Sequence, residues 1–145
     1  MISQQLLGWY SVNKRILPWR KTKDPYKIWI SEIMLQQTQV ATVIPYYQKW
    51  MKSFPSIEVL AKADYNYVLK HWEGLGYYSR CRNIHATAKS LNGKLPDTFS
   101  ELIKLPGIGE YTAKTILAIA FNKQEVGVDT NLERVGFRIL GLKKK

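Results

Sequence analysis

The sequence contains one cysteine, Cys81, and two histidines, His71 and His85, in 145 residues. A lone thiol excludes an internal disulfide and cannot supply the thiolates of a zinc or iron–sulfur site. Two isolated histidines without a cluster of further ligands are expected to be packed or exposed helix residues, and no metal site is expected. No apolar run approaches the length of a membrane span, and no helical segment separates basic from apolar residues sharply enough to lie on a bilayer. The opening MISQQLLGWY lacks the basic and clean apolar regions of a secretory signal, so an intracellular protein is expected. Acidic residues are also scarce: 11 stand against 22 Lys and Arg, a formal net charge of +11. That imbalance calls for a polyanionic partner, and without membrane signals the partner is nucleic acid. Apolar residues are plentiful, at 46% with five Trp, which suits one folded domain rather than a disordered chain.

The pattern reads as a succession of helices with no convincing alternating strand, an all-α chain. Its most informative stretch is 105–129, LPGIGEYTAKTILAIAFNKQEVGVD. Pro106 stops the preceding helix-like segment DTFSELIK, and Gly107 and Gly109 permit positive φ, so the loop can turn hard and leave amides exposed at the start of the next helix. A DNA phosphate fits such a place, because the dipole and the free N–H groups both favour an anion. The plainer alternative is a short turn between two helices.

Elsewhere, residues 3–13 set Leu6, Leu7 and Tyr10 at helical spacing. The segment 14–25, KRILPWRKTKDP, is a basic loop in which Arg15, Trp19 and Arg20 combine cations with an aromatic ring. That mixture suits stacking on bases or gripping phosphate, while Trp19 would equally serve to anchor the loop on the core. Residues 26–38, YKIWISEIMLQQT, form a helix apolar almost all the way round, hence largely buried. Glu32 has little solvent face left in it, and desolvation would raise its pKa enough to hold and deliver a proton. Gln36, Gln37, Thr38 and Gln39 follow as an uncharged polar cluster, suited to base edges or simply to solvating a helix end.

A helix over 40–54 carries Pro45 in its first turn or at a kink. Two short helices follow, near 56–62 and 64–72, with Ser56 and Asp64 as N-caps. Gly74–Arg80 is a glycine-hinged loop in which the glycines flanking Leu75 let the backbone approach a partner closely and Tyr77 or Tyr78 could wedge between bases, or pack in a turn. Thr98 and Glu101 have capping-box spacing. The helix over 110–121 offers Ile116, Leu117, Ile119 and Ala120 to the core. Asp129 reads as an N-cap, which leaves room for chemistry because helix-start amides keep a carboxylate ionised and rigidly aimed. One acid that keeps its proton and one that does not are the pair needed to break a glycosidic bond through an oxocarbenium-like transition state.

SEIMLQQTQV, GLGYYSRCRN, LPGIGEYTAKTI and VDTNLERV, in this order, resemble the adenine DNA glycosylases of the MutY type, within the helix-hairpin-helix base-excision superfamily. The resemblance covers roughly residues 5–141 and implies the all-α helix-hairpin-helix glycosylase fold: 1–13 as a helix of the second lobe, 14–128 as a six-helix barrel with the hairpin at 97–121, and 129–145 as the start of the second lobe. It implies monofunctional hydrolysis of adenine from opposite 8-oxoguanine or guanine, on a flipped nucleotide. Glu32 would protonate the adenine ring and Asp129 would stabilise the sugar cation. Tyr111 stands where the superfamily's lyases carry a Schiff-base lysine, which Lys114 does not match. Arg15 and Asn131 correspond to polar residues near the active site, and Gln37 and Tyr77 to side chains that enter the duplex; Trp19, Arg20, Gln36, Leu75, Tyr78, Gly107 and Gly109 complete the expected DNA-binding set.

The expected partner is double-stranded DNA with a mismatched or oxidised pair, bound by a monomer. VDTN departs from the adenine enzymes, which commonly have glycine in place of Thr130, and leaves thymine or uracil mismatch removal as an alternative, beside a noncatalytic DNA-binding role. Full-length family members usually carry a 4Fe–4S cluster whose cysteines are not encoded here. The second lobe is expected to be largely missing, leaving an apolar face of 1–13 exposed and the geometry at Asp129 loose.

Overall fold

The computed structural model describes residues 1–142, and all regular structure within them is helical. In chain order the α-helices are α1 Ile2–Asn13, α2 Pro25–Leu35, α3 Val40–Ser53, α4 Ile57–Lys62, α5 Tyr65–Lys70, α6 Ser79–Ser90, α7 Phe99–Leu102, α8 Glu110–Ala120 and α9 Thr130–Ile139, with a 3₁₀ turn at Pro18–Lys21. Of the stretch expected to open a second lobe, 129–145, residues 143–145 lie outside the described residues.

Helix α2 begins where Asp24 accepts the Tyr26 and Lys27 amides and Pro25 presets the first turn. It buries Tyr26, Ile28, Trp29, Ile30, Ile33 and Met34, so it runs through the middle of the core and packs against α3 on one side and α8 on the other. It stops at Gln36, earlier than the pattern suggested, and the glutamines form a turn in which Gln37 has φ 55. Pro45 sits inside α3, past its first turn. Ser56 and Asp64 cap α4 and α5 as expected. Helix α7 is shorter than the 97–104 segment suggested, and Thr98 bonds the Glu101 carboxylate side chain to side chain, with no side-chain bond to the helix-start amides.

Trp50, Trp72, Phe54 and Tyr26 interlock beside α2: Trp50 meets Phe54 at 4.8 Å and Trp72 at 5.6 Å between ring centroids, and its Nε1 donates to Tyr26 Oη, which donates to the Phe54 carbonyl. His71 bonds Ser53 and the Tyr67 carbonyl, and His85 bonds the Ala63 carbonyl while stacking on Tyr65. Both histidines are structural. The buried core is drawn from residues 17–117; α1 and α9 bury none of their own side chains. Leu6, Leu7 and Trp9 on α1, and Leu132, Val135 and Ile139 on α9, remain largely exposed, as the apolar face of 1–13 was expected to be. Among the described residues, no helix is long and apolar enough to cross a membrane.

Candidate active site and DNA-facing surface

A cleft of about 1410 Å³ lies between α2 and α8, and its lining follows from helical spacing. Ile28, Ser31, Glu32 and Leu35 come from one side of α2; Tyr111, Thr115 and Ile119, four residues apart, come from one side of α8. The segment 128–131 closes one end with Val128, Asp129 and Asn131, and the 36–39 turn closes another. Lys14, Arg15, Arg20, Lys21 and Lys23 also line the cleft. Two carboxylates therefore face a cavity with a strongly cationic wall, a place built to receive a polyanion.

Glu32 and Asp129, far apart along the chain, meet here. Burial raises the Glu32 pKa above the ordinary carboxyl value; a hydrogen bond from Tyr111 works against this, and the negative charge of Asp129 adds to it. Asp129 caps α9, its Oδ1 accepting the Leu132 amide at 2.7 Å. Tyr111 lines the cleft with both acids, and burial followed by the Glu32 charge raises its own pKa, with the Asp129 charge adding to it. The arrangement offers one carboxyl biased toward its protonated form and a second aimed by its helix.

Several expected contact residues are placed differently from one another. Arg15, Arg20 and Gln37 are exposed and line the cleft; Arg20 also bonds the Arg15 carbonyl and lies over the Tyr10 ring. Asn131 is exposed at the mouth and accepts from Arg134 at 3.1 Å. Trp19 is 7% exposed and meets Tyr47 edge-on at 5.3 Å, so it anchors the basic loop on the core and its ring is not free to stack on a base. Leu75, 5% exposed, is likewise a core residue rather than a contact. Gln36 is half-buried, with its amide donating to Thr112 across the helix pair. Tyr77 and Tyr78 are exposed on the loop before α6.

In the hairpin, Gly107 has φ +79 and a Cβ there would stand 2.8 Å from Asn83 Cβ, so only glycine fits. Gly109 does not need that freedom: it is an extended N-cap with φ −88 and ψ 179. No side chain caps α8, which leaves its first amides open at the loop.

Sequence reasoning missed three residues. Thr115 was hidden because its cleft-facing partner Tyr111 had no expected neighbour, although the four-residue spacing was visible. Gly127 lay in an apparently plain apolar run, yet its Cα approaches α8 so closely that a Cβ would meet Thr115 Oγ1 at 2.3 Å and the Tyr111 carbonyl at 3.1 Å. In the sequence Arg80 closes the glycine-hinged loop without any sign of a role of its own; it is 7% exposed and donates to carbonyls at the end of α2 and in the loop before α6. Ile119, assigned to the core, is 45% exposed on the cleft wall.

The residues described do not fit a four-thiolate cluster. Cys81 is fully buried in α6 with its thiol pushed up to about 12, and no three His, Cys, Asp or Glu side chains among the described residues gather at metal-binding distance.

Residues 30–145 match the HhH-GPD superfamily of base excision DNA repair proteins. An adenine DNA glycosylase of Buchnera aphidicola subsp. Baizongia pistaciae is 51% identical over 140 residues, covering 93% of this chain and 40% of that protein. The adenine DNA glycosylase of Rattus norvegicus is 45% identical over 149 residues, covering 94% of this chain and 29% of that one. The chain thus spans well under half the length of these curated relatives. Among solved structures, a thermostable thymine-DNA glycosylase superposes with a TM-score of 0.85 at 29% identity, over 91% of this chain and 63% of that one. An endonuclease III–DNA complex superposes at 0.81 over 98% of this chain and 69% of that one; at 23% identity, that likeness is one of fold.

Proposed function

Because this chain belongs to the HhH-GPD superfamily of base excision DNA repair proteins, we propose that it carries the centre of a monofunctional glycosylase that hydrolyses adenine from opposite 8-oxoguanine or guanine. The observation that carries the reading is the meeting of Glu32 and Asp129 in one cleft with a cationic wall. The adenine relatives, at 51% and 45% identity, supply the choice of base.

In this reading the target nucleotide leaves the duplex, since neither the ring nitrogens nor the sugar carbon can be reached while stacked. Glu32 gives its proton to a ring nitrogen of adenine, and the electrons of the N-glycosidic bond pass into the departing base. Asp129 faces the positive charge left on the sugar. Water adds at the sugar carbon and its surplus proton returns to the Glu32 carboxylate. Tyr111 holds Glu32 in place and cannot form a Schiff base. Lys114 is turned to other work, paired with Glu110 at 2.6 Å and lying over the Phe99 ring. The open amides of α8 and the 14–23 cations would grip phosphates of a mismatched duplex, with one copy of the chain acting where the DNA is.

A second reading, removal of thymine opposite guanine, is favoured by the likeness to a thymine-DNA glycosylase; Thr130 only departs from the glycine common in the adenine enzymes. Alkali-developed strand cleavage on otherwise identical duplexes separates the two. Cleavage at A opposite 8-oxoguanine and A opposite G is expected, with none at T opposite G. Cleavage at T opposite G alone would replace the adenine assignment, and binding without cleavage of any duplex would remove the enzymatic one.

A further inference from the structure

We propose that Arg80 is a positioning residue that couples the Gln37 turn and the Tyr77 loop into one DNA-facing unit. The proposal rests on the reading of this surface as DNA-facing, and extends it to a residue that touches no substrate.

Arg80 is 7% exposed and carries a charge, yet among the described residues no carboxylate pairs with it. Its compensation comes from carbonyls. Nη1 donates to the carbonyls of Ile33 and Met34 at 3.0 Å each and to that of Gln36, at the negative end of α2, the Ile33 carbonyl being shared with the Gln36 amide. Nη2 donates to the Leu75 and Gly76 carbonyls and to Thr38 Oγ1, each at 3.2 Å. The guanidinium also lies 5.3 Å from the ring centroids of both Trp72 and Tyr77. One planar fork therefore joins two loops that share no covalent neighbour, which a lysine ammonium cannot do.

Both loops it joins hold an exposed side chain in unfavourable backbone, a feature shared, among the described residues, by Asn122 after α8 at φ 53. Gln37 has φ 55 and Tyr77 has φ 48, a region that costs a non-glycine residue free energy and persists where surroundings enforce it. Tyr77 is 58% exposed, and Gln37 is exposed at the cleft edge. A cavity of about 30 Å³, room for one water, lies between Gln36, Arg80, Asn83 and Gly107. Arg80 Nε and Trp29 Nε1, from residues that both line it, are, among the described residues, the buried side-chain donors without a protein partner, so the same network reaches toward the hairpin.

The test is a double-mutant cycle on Gln37→Ala and Tyr77→Ala, run in the parent chain and in Arg80→Lys. The measured quantity is the ratio of Kd for a matched duplex to Kd for the same duplex carrying A opposite 8-oxoguanine. In the parent the double variant should lose about as much selectivity as either single one, because breaking one tip disables both. In Arg80→Lys selectivity should already be down by about tenfold, and the two alanine effects should multiply. Thr38→Val, which removes a single bond of the clamp, should give a weaker form of the same result and serves if Arg80→Lys does not melt cooperatively. Multiplicative effects in the parent, or unchanged coupling in both clamp variants, would overturn the proposal, as would absence of any duplex binding. Failure of adenine release with the coupling intact would sink the proposed chemistry and leave this inference standing.

Discussion

At Glu32 the energetics of folding and of chemistry pull against each other. A carboxyl whose folded-state pKa is raised favours the folded form fully only below its unfolded value, near 4.3, and that contribution disappears as pH rises through the folded pKa. At neutral pH the protein thus holds a desolvated acid at a cost. Glu32→Gln should melt about 2–4 °C above the parent at pH 7.5, and the two curves should converge as pH falls toward 4. A variant that melts lower at every pH would mean that Glu32 is stabilised by its partners rather than strained by burial. The candidate role of Glu32 was legible because a helix apolar around most of its circumference leaves a charge no wet face. The role of Arg80 was not, since a buried arginine satisfied by backbone carbonyls has no partner that a sequence can display.

Two helices organise the site, and they act at different ends. From one face of α6, Arg80, Asn83 and Thr87, spaced three and four apart, meet the α2 terminus, Gly107 and the Pro106 carbonyl respectively. From α8, Tyr111 and Thr115 meet Glu32 and the approach of Gly127. Glycine substitutions should therefore separate binding from chemistry. Gly107→Ala forces a left-handed residue against Asn83, should cost about 1–3 kcal/mol in thermal unfolding, and should weaken duplex binding while base release at saturation is kept. Gly127→Ala pushes on Thr115 and Tyr111, and should slow single-turnover base release by about tenfold or more with duplex affinity nearly unchanged. The opposite assignment of the two effects would mean that the hairpin and the Tyr111 wall have been given each other's roles. Helices α2, α3 and α8 could be read from periodicity and caps; the end of α2 could not, because Arg80 draws its last carbonyls into a turn that polar glutamines alone do not specify.

Over the whole molecule the net charge is +11, and five of the 22 Lys and Arg side chains, between Lys14 and Lys23, line the cleft. If these meet phosphates, log Kd should rise with log salt at a slope of about 4–5, and Arg15→Gln should lower that slope by about one. A slope near zero would disconnect the basic wall from DNA. The charge and the all-helical class were plain in composition and pattern. The convergence of residues 32, 111 and 129 was not, since it depends on α2 and α8 lying side by side, and only the likeness of the motifs to known glycosylases pointed to it.

The meeting of two acids over a flipped adenine is tested most directly by single-turnover base release from a duplex carrying A opposite 8-oxoguanine, comparing the parent with Glu32→Gln and Asp129→Asn. The parent should release adenine, with each variant slower by at least about 10²-fold while still binding the duplex. Equal rates for the parent and either variant would contradict the account.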